Sequence, residues 1–173
     1  MNTPEGLLLL DKPSGITSHD VVDRVRRALG TRKVGHAGTL DPLATGLLLV
    51  GVGRATRLLR FLSDLPKTYE GTALLGVETD TLDADGTVVR HADVDVERSW
   101  LERAAAARVG ASMQVPPAYS AVKVGGRTLH EAARRGEELR AAPRQIVVQS
   151  FRVEPFDGAR FEFEVTCSSG TYV

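Results

Sequence analysis

The 173-residue chain carries 22 Lys and Arg against 22 Asp and Glu, with 42 % hydrophobic and 25 % charged residues, a globular balance that excludes a disordered or collagen-like chain. A chain of this length buries roughly 70 % of its unfolded surface and makes a core without disulfides or a cofactor. The single cysteine, Cys167, excludes an internal disulfide and a cysteine-rich zinc site, and the longest apolar runs, Gly6–Leu10 and Gly46–Val52, fall far short of the ~20 residues that cross a bilayer.

The opening Met-Asn-Thr-Pro-Glu lacks the basic flank of a signal peptide, so a cytoplasmic protein with no membrane association is expected. Gly6–Leu10 is a continuous apolar run ending at the turn cluster Asp11-Lys12-Pro13-Ser14-Gly15, and it reads as a buried strand. Thr17 with Asp20 makes a capping-box pattern. Val21, Val22, Val25, Ala28 and Leu29 then recur at helical spacing up to Gly30. Leu47–Val52 reads as a second buried strand. Arg54–Leu62 follows as a helix with Leu58, Leu59 and Leu62 on one face and Arg54, Arg57 and Arg60 on another. Lys67–Val77 reads as a strand, with a loop rich in Asp, Thr and Gly through Gly86. Glu97–Val109 is a helix, and Pro116-Pro117 forbids one in Val115–Ala118. Leu129–Leu139 reads as a short basic helix broken at Gly136. Ile146–Val153 and Phe161–Cys167 read as strands, the latter with Phe161, Phe163, Val165 and Cys167 inward. Several consecutive strands among helices indicate an α+β fold.

Zero net charge conceals blocks: residues 1–60 carry +4, 61–105 carry −6, 106–152 carry +5 and 153–173 carry −3. Arginine supplies 18 of the 22 cations, and its planar fork suits phosphate. Two basic blocks fit either a nucleic-acid surface or ordinary solvated helix faces. Neither nucleotide-binding glycine motif is present. The histidines (His19, His36, His91, His130) form no metal-ligand pair, so no metal is expected. Gly51-Val52-Gly53 reads as strand-end packing, and Cys167 as structural.

One stretch is unusually dense: Gly35-His36-Ala37-Gly38-Thr39-Leu40-Asp41-Pro42-Leu43-Ala44-Thr45-Gly46. It exceeds the two to five residues typical of a strand connection, as a loop holding one side chain in a fixed pose would. An Asp-Pro pair also opens ordinary turns, and local chemistry leaves both readings open for Asp41.

This segment resembles the catalytic motif of the TruB family of tRNA pseudouridine synthases, which convert uridine 55 in the T arm of tRNA. Four more stretches, in family order, carry the resemblance. They are Gly6–Ser18; Lys67-Thr68-Tyr69-Glu70-Gly71; Gln114-Val115-Pro116-Pro117-Ala118-Tyr119-Ser120-Ala121-Val122-Lys123; and Cys167-Ser168-Ser169-Gly170-Thr171-Tyr172-Val173. The resemblance implies the pseudouridine synthase catalytic fold, a mostly antiparallel sheet flanked by helices, acting on tRNA as a monomer without a cofactor.

By that resemblance Asp41 is the catalytic carboxylate of a reaction that breaks the C1′–N1 bond, rotates the uracil and rejoins it through C5. Tyr69 stacks on the target base, His36 enters the T loop to keep the uridine flipped out, and Tyr172 lines the uridine pocket. Lys12 and Pro13 support the catalytic loop. Residues 119–144 match a mobile RNA-gripping insertion, with Lys123, Arg127, Arg134 and Arg135 as RNA contacts, Arg140 and Arg144 in the same basic stretch, and Gly125-Gly126 and Gly136 as hinges. His130 departs from the tyrosine of many members. In the family, Gly-Thr-Tyr-Val/Ile is followed by an arginine paired with the aspartate, whereas this sequence stops at Val173. The expectation is an incomplete catalytic domain over 1–173, without a C-terminal RNA-binding domain and inactive by itself. A non-catalytic tRNA-binding helper and a guide-RNA-dependent synthase of ribosomal RNA are the competing readings.

Overall fold

In the computed structural model, which describes residues 4–173 with the backbone alone at 155 and 156, the chain divides between Leu65 and Pro66 into two units. The first contains β1 (Gly6–Lys12), α1 (Ser18–Leu29), β2 (Val34–His36), β3 (Gly46–Val52), a 3-10 turn (Gly53–Leu58) and α2 (Leu59–Ser63). Strand β3 lies between β1 and β2, antiparallel to both, with Leu9 opposite Leu49 and His36 opposite Val50. Alternation sends Leu48, Val50 and Val52 of β3 and Leu8 and Leu10 of β1 into one cluster with Val21 and Val22 of α1. The helix starts where the capping box predicts. The Thr17 hydroxyl accepts the Asp20 N–H at 3.1 Å while the Asp20 carboxylate accepts the Thr17 N–H at 2.8 Å. It ends at Gly30, left-handed at φ 61°.

Two expectations for this unit are corrected. The apolar runs expected as buried strands are covered on one face only, leaving Leu9 70 % and Leu47 63 % exposed; continuous apolarity does not report how many faces a strand buries. Arg54–Leu62 is not one helix with a leucine face, because only Leu59 of its three leucines is buried. Gly35 and Gly51 face each other across β2 and β3, and a Cβ on either would lie 3.1 Å from Leu59 carbons. The paired glycines are the seat of Leu59, and this local fit, not a helical stripe, sets what is buried. Strand-end packing at Gly51 is thereby borne out.

The second unit contains β4 (Lys67–Leu74), β5 (Val77–Thr79), β6 (Val88–His91), α3 (Arg98–Ala106) and β7 (Gly110–Gln114). Then come β8 (Lys123–Val124), β9 (Arg127–Thr128), α4 (Leu129–Ala133), β10 (Arg144–Phe156) and β11 (Arg160–Cys167). Its main sheet has the order β4-β11-β10-β7, antiparallel at every pairing. Phe161, Val165 and Cys167 are buried and Phe163 is half-buried, as the alternation predicts. Leu101 and Ala105 of α3 cover Val153 and Phe161. Phe163 stands opposite Gly71, where a Cβ would come within 2.7 Å of its ring; the absent side chain makes room for the aromatic.

Lys67–Val77 breaks at Leu75-Gly76, and β5 pairs with β6 as a hairpin around the expected loop, which runs over residues 80–87. The helix expected over Leu129–Leu139 stops at Ala133, since the Glu137 N–H turns back to Ala132 O and Gly136 is left-handed at φ 71°. Gly125 and Gly126 were expected as hinges. They form the tight turn of the β8–β9 hairpin at φ 59° and 85°, the backbone a two-residue hairpin loop requires.

Candidate active site

The loop of residues 37–45 between β2 and β3 is held by four residues at the end of β1, the start of α1 and the turn between them. The Asp11 carboxylate accepts the Gly46 N–H at 3.1 Å. Lys12 Nζ donates to Pro42 O at 3.2 Å, Pro13 O at 3.0 Å and Ile16 O at 2.8 Å. The Gly15 N–H also reaches Pro42 O, at 2.8 Å. Ser18 Oγ accepts the Leu40 N–H at 2.9 Å and donates to Leu40 O at 3.2 Å. Lys12 is 0 % and Ser18 2 % exposed, so the residues on both sides of Asp41 are fastened by buried side chains.

The strand explains the buried lysine. Alternation along β1 points Leu8, Leu10 and Lys12 inward, and three carbonyls meet the three ammonium donors. Without them, burying this group would be costly. Leu40 packs against the core of the unit, while Asp41 is exposed. The Asp41 carbonyl accepts the Ala44 N–H at 3.1 Å, so Asp41 opens a turn and presents a carboxylate from a fixed backbone at once. Just before this loop His36, half-buried at the end of β2, pairs through Nδ1 with the Gly38 carbonyl. That pairing orients the ring and puts a proton on Nδ1.

Tyr69 and Tyr172 belong to the second unit. Tyr69 is half-buried opposite Val165, packed against Ile146, Val148, Val165 and Cys167. Tyr172, also half-buried, follows β11 beside the ends of β7 and β10. Cys167 is fully buried and its thiol is raised by that burial, which suits packing, not nucleophilic chemistry.

In the stretch 119–144, Lys123, Arg134 and Arg135 are exposed. Arg127 is bound to Glu137 at 2.6 Å and Arg140 to Glu138. Arg144 is no part of an exposed basic surface, being half-buried at the start of β10. The His130 ring is engaged within the chain, Nδ1 lying 3.2 Å from Ser120 O. Among the described residues no group of three or more His, Cys, Asp or Glu gathers to hold a metal, and no helix is long and apolar enough to cross a membrane. Sequence reasoning missed Ser18 and Gln114, both inside recognised motifs, because a serine beside a helix start and a glutamine at a strand end have ordinary local explanations.

The chain resembles proteins of known name over nearly all its length. It is 48 % identical to the tRNA pseudouridine synthase B of Bacillus cytotoxicus, over 98 % of this chain and 58 % of that protein. It is 48 % identical to that of Thermobifida fusca, over 98 % and 61 %. The chain thus spans about three-fifths of the length of the curated relatives it matches. Among solved structures, a chain in a Cbf5-Nop10-Gar1 complex superposes with TM-score 0.66 at 30 % identity, over 97 % of this chain and 41 % of that one. A chain in an H/ACA RNP bound to a substrate RNA containing 2′-deoxyuridine gives TM-score 0.67 at 26 % identity, over 96 % and 39 %. The α+β fold agrees with these solved structures. The family model for the N-terminal domain of TruB family pseudouridylate synthases matches residues 26–173, and the chain belongs to that family.

Proposed function

We propose that this chain forms catalytic-domain substance of an enzyme that converts uridine to pseudouridine at position 55 in the T arm of tRNA, with Asp41 as the catalytic carboxylate. The observation that carries this reading is the fastening of Leu40 by Ser18 and of Pro42 by Lys12 and Gly15, which holds the backbone of an exposed aspartate from both sides. A carboxylate so presented approaches C1′ of a flipped nucleotide without first ordering its loop, the preorganisation from which an enzyme draws rate. The C1′–N1 bond breaks, the uracil turns, C5 bonds to C1′ and gives up its proton, and N1 ends with one proton gained, so the atoms balance, one carboxylate suffices and no water is activated. Tyr69 and Tyr172 hold the base, and the oriented His36 ring occupies the space the flipped uridine leaves, offsetting part of a cost of a few kcal/mol. Lys123, Arg127, Arg134 and Arg135 meet phosphates of the T arm. The enzyme works as a monomer in the cytoplasm, with no cofactor and no metal.

The test places residues 1–173 in the matching segment of the Thermobifida fusca relative and counts pseudouridine in a T-arm hairpin by nucleoside chromatography. Asp41→Asn is expected to cut the rate by roughly 10³-fold or more with hairpin binding kept. An unchanged rate would overturn Asp41 as the catalytic carboxylate, and a parent chimera that binds the hairpin but makes no pseudouridine would support a non-catalytic RNA-binding role. A second reading, guide-RNA-dependent modification, draws on the fold match to H/ACA and Cbf5 assemblies. Product from a hairpin without guide RNA favours the tRNA reading; product only with added guide RNA favours the second.

A further inference from the structure

Tyr172 lies outside regular secondary structure, yet its main chain is paired as a strand residue's would be. The Gln114 side-chain amide donates from Nε2 to the Tyr172 carbonyl at 2.8 Å and accepts the Tyr172 N–H on Oε1 at 2.9 Å. Across the β7–β10 register Gln114 stands opposite Arg144. The Arg144 guanidinium carbon is 5.5 Å from the centroid of the Tyr172 ring, with Nη2 3.5 Å from its hydroxyl. The first is within cation–π reach; the second is a long, weak contact. The chain comes back to this point because the Ser168 N–H donates to Val147 O at 2.8 Å and Gly170 supplies a φ of 78°.

Two facing residues therefore hold both ends of one tyrosine, Gln114 its backbone and Arg144 its ring. Unlike Arg127 and Arg140, which bridge Glu137 and Glu138, Arg144 bridges no carboxylate among the described residues, and its charge is directed at the aromatic. We propose that Gln114 and Arg144 are positioning residues that set the Tyr172 ring before substrate arrives. This rests on the reading of Tyr172 as a wall of the uridine pocket. Misplacing such a wall by about 1 Å can cost up to ~10²-fold in rate, whereas phosphate contacts elsewhere would keep binding nearly intact.

The chain has three tyrosines, Tyr69, Tyr119 and Tyr172, so 3-fluorotyrosine labelling yields three fluorine resonances, assigned with Tyr→Phe variants. Gln114→Ala and Arg144→Ala are each expected to move the Tyr172 resonance and leave Tyr69 and Tyr119 in place, with Arg144→Lys restoring part of the shift. In the Thermobifida fusca chimera, Gln114→Ala should lower kcat about tenfold with KM within about twofold. Arg144→Ala combined with Tyr172→Phe should cost less than the product of the single losses. A Tyr172 resonance unmoved by either alanine variant overturns the proposal, as do losses that multiply fully in the double variant. A variant that displaces all three resonances has lost the fold, and Gln114→Glu, which keeps only the acceptor, then decides by moving or sparing Tyr172 alone. Should the parent chimera make no pseudouridine, the functional reading fails while the resonances still decide whether the clamp exists.

Discussion

Ser18 and Lys12 fasten the residues flanking Asp41 with donors and acceptors that water cannot replace, since both side chains are buried. Ser18→Ala leaves the Leu40 N–H without its acceptor, a loss of about 1–3 kcal/mol for a buried polar group. A lower urea midpoint and faster hydrogen exchange at the Leu40 amide would register it. Lys12→Met strips a donor from three carbonyls and should lower the midpoint further. Asp20 gives a pH-dependent counterpart. The Thr17 hydroxyl first, and the Thr17 N–H second, hold its carboxyl below the ordinary value of 3.8. A lowered folded-state pKa means the cap stabilises fully above that value and fades as pH falls through the lower one. The Tm gap between the parent and Asp20→Ala should therefore be full near neutrality and narrow below pH 3.8. The capping box was legible because its two partners are three residues apart. Ser18 was not, because its partner Leu40 lies 22 residues away.

Among the elements, glycines at strand pairings decide what packs. A Cβ at position 71 would lie 2.7 Å from Phe163 Cζ, and one at position 51 would lie 3.1 Å from both Leu59 carbons and the Thr56 backbone. Gly71→Ala should destabilise by about 1–3 kcal/mol by overpacking, with Phe163→Leu recovering part of the loss in the double variant, measured by urea denaturation. The β8–β9 turn makes the converse case. At φ 59° and 85°, Gly125→Asn is expected to be tolerated and Gly126→Val to open the hairpin, seen as faster proteolytic nicking between Lys123 and Thr128. Long elements with clear periods, α1 and β11, were readable from their spacing. The pairs β5–β6 and β8–β9 were not, because two to four residues carry no usable period and only their partners make them strands.

For the whole molecule, neutrality is an average over blocks of +4 and +5 that contain the Asp41 loop and the 119–144 stretch. If the exposed cations of that stretch meet phosphates, Lys123→Ala, Arg134→Ala and Arg135→Ala should each lower the slope of log affinity against log salt for a T-arm hairpin by about 0.7–1. Arg127→Ala should change it less, because Glu137 already holds that guanidinium. The sequence by itself determined the α+β class, the long elements and the family, since these depend on local period and on motifs read in order. Only the tertiary structure decided that Ser18 joins the expected Lys12 in fastening the neighbours of Asp41, that Arg144 faces Tyr172, and that the paired glycines seat Leu59. Those facts depend on contacts between residues 8 to 30 apart in the chain, across turns and strand pairings where spacing along the chain carries no information about distance in space.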